Sequence, residues 1–481
     1  MIRIAISENI PEGSSIVLLA TATSDFINVG LSAEETNYVK MQIEAQSAHI
    51  ALNKNGRWIF VQPIVSYVSL NAEKEKMRRN AAKLHQSITQ QKICKLSIVD
   101  TANCAELACA FAEGMVLSNY QFLKYVTKKS EKQHSLCELI LVGDSFVSTK
   151  IDQLNDVLEA VYKTRDLTNE PANMLTPVRL AAEIEAMGKD AGLEIQILDK
   201  EAIEKMKMGG ILAVNLGSTE VPTFSILEWK PETAKNKRPV ILVGKAITFD
   251  SGGHNLKTDD HIDNMKDDMA GGAAVAATIY AVAKSQLPIH VIGLVPSTDN
   301  RLSPDACSPG DIITMYDGTT VEMLNTDAEG RMILADALSF AKKYDPELVI
   351  DMATLTGSAH RALGDLGIAV MGNASRETME YLKSCGESVH ERLVEFPLWE
   401  EYAEYLQSDI ADIKNVGGNY AGMITAGKFL EHFTDYPYIH LDIHGLAFAK
   451  KASSYLCKGG TGAGVRLLFE FLKGYCLNMN Q

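Results

Sequence analysis

Two patterns of apolar and polar positions alternate between residues 238 and 355. Continuous apolar runs at 238–249, 288–298 and 347–355 are typical of strands that are buried on both faces. The longer stretches at 269–285 and 331–344 are rich in small and helix-favouring residues and predict helices between those strands. This alternation predicts a mainly parallel sheet that is covered by helices.

The first 150 residues show a looser mixture of the same two patterns. Short β-like runs occur at 14–22, 57–68 and 137–146, and amphipathic helix-like stretches occur at 72–88 and 104–117. The segment therefore predicts a smaller α/β domain of its own.

A boundary between two domains is predicted at residues 155–170. With 481 residues the chain exceeds what one hydrophobic core usually supports. A helix-like stretch at 151–169 ends at "EPANMLTP", where two prolines and an asparagine break the pattern. We therefore predict an α/β fold with an N-terminal domain at 1–155, a linker region at 156–170 and a larger catalytic domain with a mainly parallel central sheet at 171–481.

The charge and the cysteines narrow the class of protein. A net charge of −15 argues against non-specific binding of nucleic acid or anionic lipid. No apolar run approaches the length of a membrane span, and the apolar start at Ser14 follows Glu8 and Glu12, which is the wrong charge order for an export signal. Eight cysteines form no CxxC pair. We therefore expect a cytoplasmic protein whose thiols are reduced.

Charged residues follow the predicted strands at the ends where α/β sheets collect their sites. A hairpin is also predicted at 311–324, turning on Asp317 and Gly318. The acids and lysines lie at strand ends and in the two loops beyond them: Lys245, Asp250, Lys257, Asp268, Asp327 and Glu329. Four carboxylates in one cleft would repel each other unless cations neutralised them. Two divalent ions would balance the four charges, and such a pair activates water for hydrolysis.

Single residues in this group also have simpler interpretations. An aspartate at a strand end is often a helix cap, and we interpret Asp267 as a solvated cap of this kind. Lys245 is different, because a solvated lysine is hard to place inside the apolar run "VILVGKAITF". The whole pattern therefore favours a metal site.

Three motifs resemble the cytosol leucyl aminopeptidases, a family of dinuclear metallopeptidases. They are "NTDAEGR" at 325–331, "VGKAITFDSGGHNLK" at 243–257 and "MKDDM" at 265–269. The resemblance extends from "RDLTNEPANMLTP" to "TGAGVRLLFEFL" and so covers the whole C-terminal domain. The first 150 residues match only loosely, as a variable α/β domain.

The resemblance implies a set of ligands for two metal ions. Asp250 and Glu329 would bridge both ions. Asp327 would complete the more exchangeable site, and Lys245 and Asp268 would complete the tighter one. Zinc or manganese is expected, and magnesium or cobalt also suits such mixed oxygen and nitrogen ligands.

The resemblance also implies the catalytic pair and the substrate. Lys257 would stabilise the oxyanion of the tetrahedral intermediate, and Arg331 would hold a bicarbonate ion that accepts a proton from water. Peptides with a free N-terminus would be the substrates, with leucine and other apolar residues removed by a homohexamer. The residues expected to line the substrate site are Met265, Thr354, Leu355 and Gly357.

Some features allow other interpretations. His444 stands where the family usually has a small alanine, which would alter side-chain preference if the ring faces the pocket. His440 and His444 form an HxxxH pair, but the glutamate of HExxH is missing and the segment predicts a strand, so we interpret both as structural. Another dinuclear hydrolase, such as a phosphoesterase, and a DNA-binding role remain the alternative functions.

Overall fold

The computed structural model describes residues 1–26, 29–47, 50–64, 69–258 and 262–478, and side chains up to residue 475. The last four residues of the predicted strand at 57–68 lie outside these ranges, as does the side chain of Cys476. The chain forms two compact units, one of residues 1–159 with 451–457 and the other of residues 160–450 with 458–481. Within the described ranges, no helix combines the length and the apolar character that a membrane crossing needs.

The first unit contains a six-stranded sheet in the order β1-β6-β5-β2-β4-β3. All neighbouring strands are parallel except β3 and β4. Strand β2, near the centre of this sheet, is almost entirely apolar, and all six of its residues are buried. The strands are β1 (Ile4–Ser7), β2 (Ser15–Ala20), β3 (Ile50–Lys54), β4 (Arg57–Pro63), β5 (Lys95–Asp100) and β6 (Glu138–Val142).

The helices of this unit begin at residues that the sequence marks as caps. Ser32 and Glu35 form a capping box at the start of α1, and Ser69 caps α2. The last helix continues past Glu159, where the first segment of this unit ends, and stops at Asn169, one residue before the end of the predicted linker region at 156–170. The helices are α1 (Ala33–Glu44), α2 (Leu70–Gln90), α3 (Ala105–Ser118), α4 (Lys129–Lys132) and α5 (Ser148–Asn169).

The expectation that all cysteines are reduced thiols is wrong for one pair. Cys94 and Cys137 form a disulfide. Each cysteine directly precedes one of two paired parallel strands, β5 and β6, so the strand register brings their Cα atoms to 5.2 Å. A separation of 43 residues gives no hint of this pairing in the sequence.

The second unit contains a nine-stranded sheet in the order β16-β15-β18-β14-β9-β11-β8-β7, with β10 paired to β11. The central pairs β18-β14, β14-β9 and β9-β11 are parallel. The predicted α/β class with a mainly parallel central sheet is therefore confirmed. The sheet strands are β7 (Glu194–Leu198), β8 (Thr223–Trp229), β9 (Val240–Gly244), β10 (Ala246–Asp250), β11 (Val291–Asn300), β14 (Leu348–Ala353), β15 (Ile368–Gly372), β16 (Leu393–Glu395) and β18 (Tyr438–Asp442).

Short strands and helices complete the unit. The predicted hairpin is confirmed, since β12 and β13 pair antiparallel around the Asp317–Gly318 turn. The other strands are β12 (Asp311–Thr314), β13 (Thr320–Met323), β17 (Ile413–Lys414), β19 (Phe448–Ala449) and β20 (Gly459–Gly460). The helices are α6 (Pro177–Ala191), α7 (Lys200–Lys205), α8 (Gly209–Asn215), α9 (Ala270–Lys284), α10 (Gly330–Ala341), α11 (Gly357–Leu363), α12 (Arg376–Val389), α13 (Gly422–Glu431) and α14 (Val465–Asn478), with 3-10 helices at Met265–Asp267, Lys342–Tyr344 and Glu400–Leu406.

The apolar run at 238–249 forms two strands rather than the single strand predicted. Strand β9 ends at Gly244 and β10 begins at Ala246, and both pair with the long strand β11. Lys245 lies at the break, where its N–H donates to the carbonyl of Met352 at 3.1 Å. The break therefore leaves a lysine in the middle of the sheet, next to the carboxyl end of β14.

Glycines let the small-residue helix α9 approach the sheet at this point. A Cβ on Gly271 would lie 2.2 Å from the carbonyl oxygen of Met352, and one on Gly244 would lie 2.6 Å from the Cα of Gly272. The N–H of Gly272 donates to the carbonyl of Lys245 at 2.7 Å. Only glycine leaves room for these contacts, which hold the start of α9 against the break.

Candidate metal centre

Four carboxylates meet at the edge of the central sheet. Asp250 is the last residue of β10, Asp268 follows the 3-10 helix, and Glu329 directly precedes α10. Asp250, Asp268 and Glu329 are buried, and Asp327 is partly exposed. Single carboxylate oxygens of Asp250, Asp327 and Glu329 lie within 4.8 Å of one another. The sequence-predicted acids are thus brought together in one cluster.

Lys245 lies on one side of this cluster. Its Nζ is 2.7 Å from Asp268, 2.8 Å from Glu329 Oε1 and 2.9 Å from the carbonyl oxygen of Thr354. Burial alone would lower its pKa, but the charges of Asp268 and Glu329 outweigh that effect and raise it. Without metal, Lys245 is therefore a protonated partner of two carboxylates.

Lys257 lies on the other side. Its Nζ is 2.8 Å from Asp250 Oδ2 and 2.5 Å from Asp327 Oδ1. Burial again opposes the positive charge, but the carboxylates, Asp250 first among them, raise the pKa. Two lysines therefore stand between four acids, each contacting two of them.

The acids carry more negative charge than two lysines neutralise. Burial raises the pKa of Asp268 and Asp250, and it raises the pKa of Asp327 to about 7. Burial also acts on Glu329, but the nearby Lys245 and Lys257 lower the pKa of that carboxyl. Such shifts mark a group of anions that lacks enough positive charge.

The donor set fits divalent cations. Glu329 Oε2 is buried and has no hydrogen-bond partner in the described part of the chain. Carboxylate oxygens and a lysine nitrogen are ligands that zinc and manganese accept. The convergence of three carboxylates within 4.8 Å supplies the charge that such ions need.

Arg331 lies beside the cluster at the start of α10. Its side chain is buried, and Nη1 donates to the carbonyl of Asn415 at 2.6 Å. Within the described ranges its Nε has no hydrogen-bond partner, and burial lowers the pKa of the guanidinium to about 10. A buried guanidinium with a spare donor can hold a small anion.

The predicted substrate residues lie in the segments of chain that follow β10 and β14. Met265 opens the 3-10 helix before Asp268, and Gly357 is the first residue of α11. Thr354 Oγ1 donates to Asp268 Oδ1 at 2.8 Å, and the N–H of Leu355 donates to Asp442 at 3.1 Å. The Thr354–Leu355 segment therefore contacts the carboxylate cluster through the hydroxyl of Thr354.

Two asparagines that the sequence analysis missed hold this arrangement. Asn300 ends β11 and donates through Nδ2 to Asp250 Oδ1 at 2.8 Å and to the carbonyl of Thr326 at 3.0 Å. The side-chain oxygen of Asn415 accepts the N–H groups of Leu324 and Asn325. The strand-end position of Asn300 was a usable signal in the sequence, whereas nothing pointed to Asn415.

The interpretation of Asp267 as a solvated cap is wrong. It ends the 3-10 helix, and Met269 occupies the N-cap position of α9. Its side chain is partly buried, and burial raises the pKa of the carboxyl to about 7. The 3-10 helix folds Asp267 back to where Lys245 and Lys257 interact with its charge.

The two histidines of the HxxxH pair have different surroundings. His440 lies in β18, wholly buried, with Nδ1 2.7 Å from Asp351 on the neighbouring strand, which agrees with a structural role. The prediction of one strand through both is wrong, because β18 ends at Asp442 and leaves His444 beyond it. In the described part of the chain, neither belongs to a group of metal-binding side chains.

Comparisons with known proteins agree with the geometry. A model of the cytosol aminopeptidase family, catalytic domain, matches residues 162–469. A probable cytosol aminopeptidase of Geobacter sulfurreducens is 45% identical over 367 residues, which is 75% of this chain and 74% of the relative. Another from Chlorobaculum parvum is 49% identical over 386 residues, covering 77% and 76% of the two chains.

Solved structures show the same fold along nearly the whole chain. A mutant of tomato leucine aminopeptidase has a TM-score of 0.85 and 28% identity, covering 98% of this chain and 97% of its own. The bottromycin maturation enzyme BotP in complex with Mn has a TM-score of 0.84 and 28% identity, covering 96% and 99%. The family resemblance carried by the three motifs is therefore confirmed, and the chain belongs to the cytosol aminopeptidase family.

Proposed function

We propose that this peptidase releases N-terminal amino acids from peptides with the help of two divalent metal ions. The observation that carries the proposal is the group of carboxylates from Asp250, Asp327 and Glu329, whose oxygens lie within 4.8 Å of one another. Lys245 and Asp268 extend this group on its buried side. These five residues would be the ligands, with Asp250 and Glu329 shared between the two ions.

The charges support this assignment. When bound, a pair of zinc or manganese ions would activate a water molecule and polarise the carbonyl of the scissile bond. Magnesium or cobalt would also suit the ligands. Lys245 would have to lose its proton before its nitrogen could act as a ligand, so metal binding beside Asp268 would release a proton.

Lys257 and Arg331 would be the catalytic pair. Lys257 is protonated between Asp250 and Asp327. With those carboxylates committed to metal, its ammonium would stabilise the negative oxygen of the tetrahedral intermediate. The spare donor of Arg331 would hold a bicarbonate ion as the proton acceptor. Both side chains adjoin the carboxylate cluster, where the peptide carbonyl and the water would have to be placed for this reaction.

The substrate would be a peptide with a free N-terminus. Its α-amino group would approach the carboxylate cluster, and its first side chain would approach Met265, whose adaptable thioether suits leucine and other apolar residues. Thr354, the carbonyl of Leu355 and Gly357 would line the same site, which agrees with the contact of Thr354 to Asp268.

The extent of the catalytic domain, the cellular location and the oligomeric state are also part of the proposal. Residues 171–481 would be the catalytic domain, which agrees with the family match at 162–469. We propose a cytoplasmic homohexamer, without a membrane or nucleic-acid partner, in line with the net charge of −15 and the cytosol aminopeptidase names of the relatives.

Hydrolysis of leucine p-nitroanilide by the manganese-loaded protein tests the proposal. The substrate should be cleaved, whereas N-acetyl-leucine p-nitroanilide should not, because acetylation removes the amino group that the site needs. Glu329→Ala should lose at least about 10³-fold in kcat/KM, since it removes a ligand shared by both ions. The exposed Glu232 offers a matched control, Glu232→Ala, which should keep full activity.

Two results would contradict the proposal. Equal cleavage of the acetylated substrate would show that the free amino group is not recognised. Full activity in Glu329→Ala would show that the carboxylate cluster is not the reaction centre.

A further inference from the structure

His444 lies just beyond β18, on the same edge of the sheet as the metal cluster. Its N–H donates to Asp442 Oδ1 at 3.2 Å. The same carboxylate accepts the N–H of Leu355 at 3.1 Å and the hydroxyl of Thr356 at 2.7 Å. Asp442 thus fixes the segment that carries His444 against the segment that follows β14.

The segment after β14 reaches the metal cluster. The carbonyl of Thr354 accepts a hydrogen bond from Lys245, and its hydroxyl donates to Asp268. The positive charges of Lys245 and Lys257, which lie on the two sides of the cluster, both lower the pKa of the His444 ring. The ring is therefore close enough to both sides of the cluster to sense their charge. His444 is therefore a neighbour of the reaction centre that the proposed mechanism does not use.

The ring of His444 is available to a ligand. It is partly exposed and lies 5.8 Å from the ring of His360, between centroids, on α11. Within the described ranges the only hydrogen bond of His444 uses its backbone, and its ring nitrogens have no partner. Burial and the charges of Lys245, His360 and Lys257 lower the pKa of His444 to about 4, despite the opposite effect of Asp442. The ring is neutral at pH 7 and offers one donor and one acceptor.

We propose that His444, supported by His360, is a specificity-determining residue that hydrogen-bonds the side chain of the peptide's first residue. The substrate class gained in this way is peptides that begin with a short, neutral, hydrogen-bonding side chain, such as asparagine, alongside those that begin with leucine. This inference rests on the proposed function.

The charges around His444 select against ionised side chains. Asp442 contacts the His444 backbone and would repel an aspartate, and the protonated Lys257 would repel a cationic side chain. A carboxamide avoids both and can use the donor and the acceptor of the neutral ring. An alkyl side chain of the same shape leaves the ring without a partner but meets no charge.

Leu-Ala, Asn-Ala and Asp-Ala form a panel that isolates this effect, because leucine, asparagine and aspartate have side chains of nearly the same shape. The value of kcat/KM for each is measured with the manganese-loaded native chain, His444→Ala and His444→Gln. The Asn-to-Leu ratio should fall about tenfold in His444→Ala, which is the loss of one hydrogen bond. His444→Gln keeps a donor and an acceptor and should retain more than half of the native ratio. Asp-Ala should be cleaved more slowly than Asn-Ala by the native chain.

The controls separate this inference from the proposed function. His432→Ala removes an exposed histidine at the end of α13 and should leave all three values unchanged. An unchanged Asn-to-Leu ratio in His444→Ala, or Asp-Ala cleaved faster than Asn-Ala by the native chain, overturns the inference while leaving the proposed function intact. No release of any amino acid from the whole panel overturns the proposed function instead. If His444→Ala loses activity on every dipeptide, the Asn-to-Leu ratio of His444→Gln is the test. A ratio above half of the native value supports the inference, and a lower ratio overturns it.

Discussion

The lysines of the metal centre show how far single residues can be interpreted from sequence. Lys245 is predictable as a buried, functional residue, because no solvated position exists inside an apolar run. Lys257 carries no such signal by itself, and only its place after the glycine loop suggested a role. The structure brings both lysines against the carboxylates, at 2.5 to 2.8 Å. It also adds Asn300, whose contact with Asp250 depends on how β10 and β11 pair.

Removing the ammonium of Lys257 should affect turnover more than binding. Lys257→Ala is expected to lower kcat by about 10²–10³ with little change in KM, because a charged donor to the negative oxygen is lost. Steady-state kinetics and the metal content of the same sample provide the measurement, with Lys235→Ala as an exposed control. Loss of bound metal in Lys257→Ala would show that the lysine stabilises the carboxylates and does not act on the substrate.

Asp267 gives a prediction on pH. Its pKa is raised to about 7 in the metal-free folded chain, so ionising it costs stability above that pH and costs nothing below the ordinary pKa of aspartate, about 4. The free energy of unfolding should therefore decrease as the pH rises through that window. Asp267→Asn should stabilise the metal-free chain at pH 8 and have little effect at pH 4. Thermal unfolding at the two pH values tests this, and equal effects at both would contradict it.

At the level of helices and strands, the alternation of elements was predictable but the break in the central strand was not. The sequence pattern of 238–249 is continuous, and β9 and β10 pair with β11 in one continuous register across the division. The division falls at Lys245, whose N–H donates to the carbonyl of Met352 on β14. Helix α10 likewise begins at a position fixed by contact, since Gly330 packs directly on the Lys245 side chain. Such contacts join residues that are distant in sequence, so the apolar pattern does not reveal them.

A side chain at Gly330 should disturb the metal centre. A Cβ at this position would lie 2.3 Å from Cε of Lys245 and 2.7 Å from its Nζ, which is too close for either to remain in place. Gly330→Ala is expected to weaken metal binding by about tenfold or more, because Lys245, one of the proposed ligands, would be displaced. Metal titration followed by calorimetry measures the effect. Gly367→Ala is the matched control, since its Cβ would meet nothing nearer than 3.5 Å.

At the level of the whole molecule, two units were expected from chain length and from the prolines after residue 169. The structure assigns residues 451–457 to the first unit, although they are about 300 positions away from the rest of it in the chain. Within that unit the hydroxyl of Tyr455 donates to Glu75 at 2.9 Å, a contact between buried side chains. No local sequence pattern could predict that residues 451–457 belong to the first unit. The same holds for the disulfide between Cys94 and Cys137, which precede β5 and β6.

The disulfide should matter for the stability of the first unit. Cross-linking positions 43 residues apart is expected to contribute about 2–4 kcal/mol. Cys94→Ser should therefore lower the melting temperature of this unit while leaving kcat/KM unchanged. Thermal unfolding without reductant is the measurement, and Cys104→Ser, which removes a free thiol, is the control. An unchanged melting temperature in Cys94→Ser would show that the bridge does not stabilise the fold.

The central claim is that hydrolysis depends on two metal ions in the carboxylate cluster. The most direct test is to load the metal-free chain stepwise with manganese and to measure bound metal and leucine release from Leu-Ala in the same samples. The account predicts that activity rises with occupancy and reaches its maximum at two ions per chain. Full activity with no bound ion, or two bound ions without release of any amino acid, would contradict it.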